Sequence, residues 1–491
     1  MNPLLLADFY KVGHPVQCPK GITWAASNWI PRRSRLPQAN EVVVFGMNYF
    51  IKRYLLGAFD TEFFTRPLES VVAEYRDVNR YCLGVENPQL EHIKELHGLG
   101  YLPLCIRAIP EGTVLPVNFP HAVISNTDSC CAWLPQYLET LLSNILWKPS
   151  TNASTARRYR KIMIEHARRS GEKDFSFVDW QGHDFSYRGL SGTEDAMTTG
   201  MAHLLSFSGT DTIPAILAAR DYYGAPLTVG GSVPATEHWV MCAWIASMLD
   251  GDGELEGYRN LITEKYPNGI VSIVSDTRNL WDVLTDYLPK LKEQILSRNG
   301  KLVIRPDSGD PANILCGDPA YKNAHGAPQA AGVLRLMAQC LGTTEQDSGL
   351  PLINKGGAIY GDSITEERCD DILRRIVDEL RLSPYNQVFG IGSYTYNYNT
   401  RDTFSWKLAP AAMIFNNRLL PLEKKPVTDD GTKHSYRGLV AVYNHDGEYS
   451  VKQNATFDDL NHCAYEEVFY NSDLLIDPKF STVRERARIG L

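Results

Sequence analysis

Four short apolar runs constrain this chain more than any other feature. They are "GIVSIVSD", ending at Ser275 and Asp276; "KLVIRPDSGDP", turning at Arg305 and Asp307; "GAIYGDS", ending at Gly361 and Asp362; and "VFGIGS", ending at Gly392 and Ser393. Helical spacing fills the gaps, first with Leu280, Leu284, Leu288 and Leu291, then Val333, Met337 and Leu341, then Cys369, Ile372, Leu373 and Ile376. Near-continuous apolar strands alternating with amphipathic helices predict a parallel sheet covered by helices. Polar strand ends persist through every unit. That favours a closed (β/α) barrel, whose loops converge on one rim, over an open doubly wound sheet. Ser363 and Glu366 have capping-box spacing before the third helix.

The flanks lack this rhythm. "EVVVF" and "YLPLCIRAI" near one end read as strands. "SWKLAPAAMIF", "GLVAVYN" and "YSVKQN" near the other read as antiparallel strands around a basic turn, "EKKPVTDDGTKHSYRG". The fold class is therefore α/β: a barrel-like domain over residues 151–389, and an α+β domain built from both chain ends, 1–150 and 390–491. The helix "TARRYRKIMIEHARR" presents its basic residues as a solvated face.

Bulk properties exclude whole classes. A net charge of -8 argues against a general nucleic-acid surface. No apolar run approaches the roughly 20 residues of a membrane helix, and the opening "MNPLLLADFYKVGH" is too short and uncharged for a signal segment. Ten cysteines show neither CxxC nor zinc spacing, which fits reduced thiols in the cytoplasm.

Asp276, Arg305, Asp307 and Asp362 fall at successive strand ends and are expected at one rim, where Gly361 lets a ligand approach the backbone. Carboxylates accept bonds from sugar hydroxyls or hold Mg²⁺, while arginine takes phosphate. "GGSVPATEHWV" puts Glu237 and His238 at a helix start. Asp211 in "GTDT" is either a helix cap or a carboxylate aimed at a ligand N–H. Phe185 and Arg188 suit a flat ring next to phosphate. Gly390 and Gly392 can bare backbone N–H groups to an anion, with Arg401 and Lys407 adding charge. GxxxxGK[ST] is absent, so this is no P-loop ATPase.

The order "DFYK", "HDFSYRG", "GTDT", "SVPATEH", "VSIVSD", "IRPDSGDP", "GD" and "TRD" resembles the nicotinamide phosphoribosyltransferase family, a type II phosphoribosyltransferase group, from about residue 4 to about 460. The resemblance implies transfer of phosphoribose from 5-phosphoribosyl 1-pyrophosphate to nicotinamide, giving nicotinamide mononucleotide for NAD salvage. It also implies Mg²⁺, ATP hydrolysis coupled through a phosphohistidine, and a homodimer, formed through the α+β domain, with shared sites. His238 would carry the phosphate beside Glu237, with Asp276 and Asp307 catalytic. Phe185 would stack on the pyridine, with Tyr10 of a second copy on the other face and Asp8 close by. Asp211 would take the carboxamide N–H, and Asp307 and Asp362 the ribose or Mg²⁺. Arg305 would border the base and phosphate. Arg188, Gly392, Ser393, Arg401, Ser405, Lys407 and Lys424 would line the phosphate surface. The glycine loop reads "GIGSYTYN", with Ser393 and Tyr394 where the family has more glycine. The alternative is nicotinate phosphoribosyltransferase. A carboxylate at 211 disfavours it, because it repels the carboxylate of nicotinate.

Overall fold

A computed structural model describes residues 1–248, 250–324, 326–428 and 435–491, so the stretch 429–434 of the basic turn lies outside the described residues. The chain forms two compact units, one of residues 155–217, 226–398 and 490–491, the other of 1–154, 218–225 and 399–489.

The first unit is the barrel. Its strands are β1 (Gly182–Asp184), β2 (Gly209–Thr210), β3 (Asn268–Val274), β4 (Asn299–Arg305), β5 (Gly356–Tyr360) and β6 (Gln387–Ile391). All pairings are parallel, in the order β2-β1-β6-β5-β4-β3. The two edge strands are joined by an irregular segment that closes the ring. On one side the Gly231 amide donates to Ser208 and the Thr210 amide to Gly231, each at 2.9 Å; on the other, Ser272 donates to Pro234 at 2.9 Å and Thr236 to Ser272 at 3.0 Å. The ring is completed by these isolated bridges rather than by a continuous ladder.

Alternation along the strands sorts the side chains. Leu302 and Ile304 are fully buried among the surrounding helices, while Lys301, Val303 and Arg305 face inward. Barrel interiors are ordinarily packed solid by branched side chains. Here Ser272 and Gly357 stand at interior positions, and a cavity of about 450 Å³ remains.

Three expectations need correction. The cap of the helix Glu366–Arg375 is Thr365, whose hydroxyl accepts the Arg368 amide at 3.2 Å; Ser363 sits in left-handed backbone at φ 51°, outside the cap. Glu366 instead pairs with Arg158 at 2.8 Å, and Arg160, its side chain only 9% exposed, pairs with Asp179 at 2.6 Å. The basic helix face is therefore only partly solvated: Arg158 and Arg160 turn to ion pairs, while Lys161, Arg168 and Arg169 stay exposed. The unit boundary lies at 398/399 rather than 390, because β6 is a barrel strand paired with β1, and residues 218–225 join the other unit.

That other unit is built around a seven-stranded antiparallel sheet drawn from both chain ends, with Ile22–Pro31, Ala122–Asn126 and Leu104–Ala108 at its centre, flanked by Trp406–Phe415 and Arg418–Pro421 on one side and by Glu466–Tyr470 and Asp473–Leu474 on the other. Trp29 and Trp406 stack across neighbouring strands at 4.9 Å. Glu111 is enclosed here. Its Oε1 accepts the Asn48 amide at 2.9 Å, and burial pushes its carboxyl up to about 7. A carboxyl whose pKa is raised on folding supplies stability below its unfolded pKa and loses it as pH climbs through the folded one. Glu111→Gln is thus expected to raise the melting temperature at pH 8 and leave it unchanged near pH 4, a comparison that two thermal scans make.

Candidate active site

The mouth of the barrel is assembled from the C-terminal ends of its strands, as parallel barrels require. β1 places His183 inside and leads straight into Phe185, whose ring lies across β5 and β6. A Cβ at Gly390 would come within 2.3 Å of that ring and one at Gly361 within 2.9 Å. These glycines therefore make room for Phe185. Gly390 does not bare its N–H to an anion, as the sequence suggested, and the group that approaches Gly361 is this ring. Gly392 stays open, its nearest neighbour 3.9 Å from a built Cβ. Gly189 accommodates Ser393, whose Oγ would meet a Cβ there at 2.1 Å. Arg188 is exposed and, among the described residues, makes no ion pair.

Asp211 follows β2. It does not cap the helix Ile213–Tyr223, because its Oδ1 accepts from His183 Nε2 at 2.9 Å and from Ser232 Oγ at 2.5 Å. Burial pushes its carboxyl up, but His183, Ser232 and the Arg305 charge together outweigh this and hold it below its ordinary value. Arg305 closes the far side of the same cavity, with its Nε buried and unpaired among the described residues. Ser272 Oγ also faces the cavity, buried and without a partner among the described residues.

The second cluster is acidic and centres on Asp276. This side chain is only 9% exposed and receives His238 Nε2 at 3.1 Å on Oδ1, with the Asp307 amide at 3.2 Å and Ser308 Oγ at 2.6 Å on Oδ2. These hydrogen bonds make Asp276 the post to which the His238 helix and the β4 loop are tied. His238 opens the helix His238–Ser247, with Glu237 exposed at the N-cap position and the imidazole 48% exposed. The Asp307 carboxyl is pushed up by burial, lowered by Arg305 and His238, and raised by Asp276 and Asp362. Asp362 is exposed beside it.

Among the described residues, no group of three or more His, Cys, Asp or Glu side chains is arranged to hold a metal alone. The donor set nevertheless fits Mg²⁺, which keeps several waters and takes one or two carboxylates plus substrate phosphates. The crowding of Asp307 by Asp276 and Asp362 is the kind of repulsion a cation relieves.

The remaining expected residues lie in the other unit and gather there. Tyr10 donates to Asp8 at 3.1 Å, and Asp8 also accepts from Thr140 at 2.7 Å. Burial pushes the Lys407 ammonium down; Glu139 raises it, and Lys424, Arg32 and Lys11 lower it further, which marks a concentration of positive charge. Arg401 reaches Asp402 at 3.4 Å, and Ser405 adopts left-handed backbone at φ 51° while its carbonyl takes Arg32. His183, Ser232 and Ser272 were missed by sequence reasoning. His183 stood inside the quoted "HDFSYRG", and its place at an inward strand position was the available signal.

Parallel strands whose C-terminal ends gather carboxylates and an arginine define the class of barrel proteins that take a phosphorylated, hydroxyl-bearing ligand at their mouth. Residues 180–467 match the model of the nicotinate phosphoribosyltransferase family, and residues 2–78 match the N-terminal domain of nicotinamide phosphoribosyltransferase. The chain is 41% identical to the nicotinamide phosphoribosyltransferase of Acinetobacter baylyi over 99% of its length and 97% of the relative's. It is 30% identical to that of Xanthomonas campestris over 90% of the chain and 87% of the relative. This chain belongs to the nicotinamide phosphoribosyltransferase family. The crystal structure of human nicotinic acid phosphoribosyltransferase shares the fold, with a TM-score of 0.55 at 14% identity over 99% of this chain and 92% of that one. No described helix is long and apolar enough to cross a membrane.

Proposed function

We propose that this chain joins nicotinamide to 5-phosphoribosyl 1-pyrophosphate in the cytoplasm, for NAD salvage. The observation that carries this reading is the ionised Asp211 beside the Phe185 ring in the barrel cavity. Its Oδ2 accepts a carboxamide N–H and repels the carboxylate of nicotinate, and a site built around such a bond rejects the wrong analogue strongly. The rival, nicotinate as substrate, requires that charge to be tolerated.

The pyridine nitrogen attacks the anomeric carbon, and the carbon–oxygen bond to pyrophosphate breaks, its electrons leaving with the pyrophosphate. No strong base is required. Phe185 and Asp211 orient the base, Asp307 and Asp362 bind ribose hydroxyls, and Arg305 and Arg188 offset charge on the leaving group. Mg²⁺, held by Asp307 and Asp362 together with the substrate phosphates, would neutralise that charge further. Arg401, Ser405, Lys407 and Lys424, in the other unit, are assigned to phosphate contacts, and Tyr10, 62% exposed, to the other face of the pyridine in a second copy of a homodimer.

ATP is assigned to His238. With Nε2 directed at Asp276, Nδ1 is the nitrogen left to take the γ-phosphoryl group, releasing ADP. Competition between nicotinamide and nicotinate for limiting phosphoribosyl donor tests the reaction, and preference for nicotinate overturns it. Labelled ATP, with His238→Ala as control, tests the phosphohistidine. An unlabelled wild-type protein removes that step and leaves the transfer reaction standing.

A further inference from the structure

Asp211 has two carboxylate oxygens, and both of its neighbours donate to the same one. His183 Nε2 lies 2.9 Å and Ser232 Oγ 2.5 Å from Oδ1, while Oδ2 receives neither. An ionised carboxylate only accepts, so Nε2 carries the imidazole proton. The trio is not a hydrolytic triad. Ser232 also lies 3.3 Å from Nε2, but that nitrogen is a donor committed to Asp211, and no base remains for the hydroxyl. What the pair does is fix the rotation of the carboxylate and leave Oδ2 as the single oxygen available to a ligand.

The same imidazole supports the aromatic platform. It meets Phe185 edge-on, with centroids 5.1 Å apart and planes at 63°. Such edge-to-face pairs contribute beyond their buried area. Gly209 gives the ring its room on the β2 side, because a Cβ there would lie 2.6 Å from Nδ1.

We infer that His183, assisted by Ser232, is the positioning residue that sets base specificity: one imidazole fixes both the carboxylate that reads the carboxamide and the ring on which the pyridine lies. The ligand class is a neutral aromatic carboxamide. This inference rests on the reaction proposed above. Without His183, Asp211 can swing its charge away from the cavity, so binding of nicotinamide weakens and the penalty against nicotinate shrinks. The sites assigned to phosphoribose are untouched.

Calorimetric titration of nicotinamide and nicotinate, with steady-state kinetics, on wild type, His183→Ala, His183→Gln and Ser232→Ala decides the matter. His183→Ala is expected to raise Kd and KM for nicotinamide about tenfold, the scale of one charge-assisted hydrogen bond. Its kcat should fall no more than about threefold, and KM for the phosphoribosyl donor should hold. Discrimination against nicotinate should narrow by about tenfold. Gln offers an N–H near the lost Nε2 and should recover most of the affinity; Ser232→Ala should cost about threefold. The inference is overturned if His183→Ala leaves nicotinamide binding unchanged, if KM rises equally for both substrates with a falling melting temperature, or if Gln does no better than Ala. A wild-type protein that binds nicotinate and not nicotinamide overturns the proposed reaction itself, and that result is visible before any variant is compared.

Discussion

Asp211→Asn should invert the base preference. The asparagine Oδ1 can keep both bonds that the carboxylate now receives from His183 and Ser232, so the side chain stays in place. Its Nδ2 then stands where Oδ2 stood. Toward nicotinamide that sets a donor against a donor. Toward nicotinate it sets a donor against a carboxylate, with the repelling charge gone. Losing a hydrogen bond to a charged group costs about 1.5–3 kcal/mol, which corresponds to a fall in kcat/KM for nicotinamide of roughly 10- to 150-fold. Use of nicotinate should rise at the same time. Parallel kcat/KM measurements with the two bases check this, and an unchanged ratio between them would remove Asp211 from base recognition. Because wild-type Asp211 is held ionised below its ordinary range, the preference should persist with little change across neutral pH.

How far the site could be read in advance depended on how each contact is encoded. Strand ends were legible because inward and outward residues alternate and a buried strand tolerates few charges; Arg305 and Asp307 announce themselves for that reason. The carboxylate cluster followed, since successive strand ends of a parallel sheet share a rim. That the strands form a barrel was expected; the segment that completes the ring was not legible. The segment from Gly231 to Thr236 has no strand pattern and joins the ring through single bridges, which leave no periodicity. Gly390 was misread because a bare glycine is ambiguous: it frees backbone for an anion or space for a ring, and only the position of Phe185 decides. Ser363 was misread as a cap because a threonine two residues on has the same chemistry, and the left-handed backbone at Ser363 excludes it. His183 went unremarked because its partners are Asp211 and Ser232, 28 and 49 residues away. Local spacing carries no trace of a pairing made by the fold.

Asp276→Ala should be more damaging than removal of the histidine it holds. The nearly buried carboxylate receives three donors; on its loss the exposed His238 ring and Ser308 hydroxyl turn to water, and the partly buried Asp307 amide is left without its acceptor. A buried donor stripped of its acceptor costs about 1–3 kcal/mol, and relaxation of the β4 loop is the way to avoid that cost. Asp307 then moves from the place in which the proposed reaction has it meet the sugar. Misplacement of a binding group by about 1 Å can cost roughly 100-fold in rate, so kcat at saturating substrates and without ATP should fall by about that factor. His238→Ala should leave this ATP-free rate nearly intact and abolish only labelling by ATP and its stimulation, whereas Asp276→Ala should lose both. The contrast separates a tethering role from one confined to the histidine. If Asp276→Ala stays within about threefold of wild type in the ATP-free reaction while losing the label, Asp276 serves His238 alone, and the β4 loop is held in place by its own backbone.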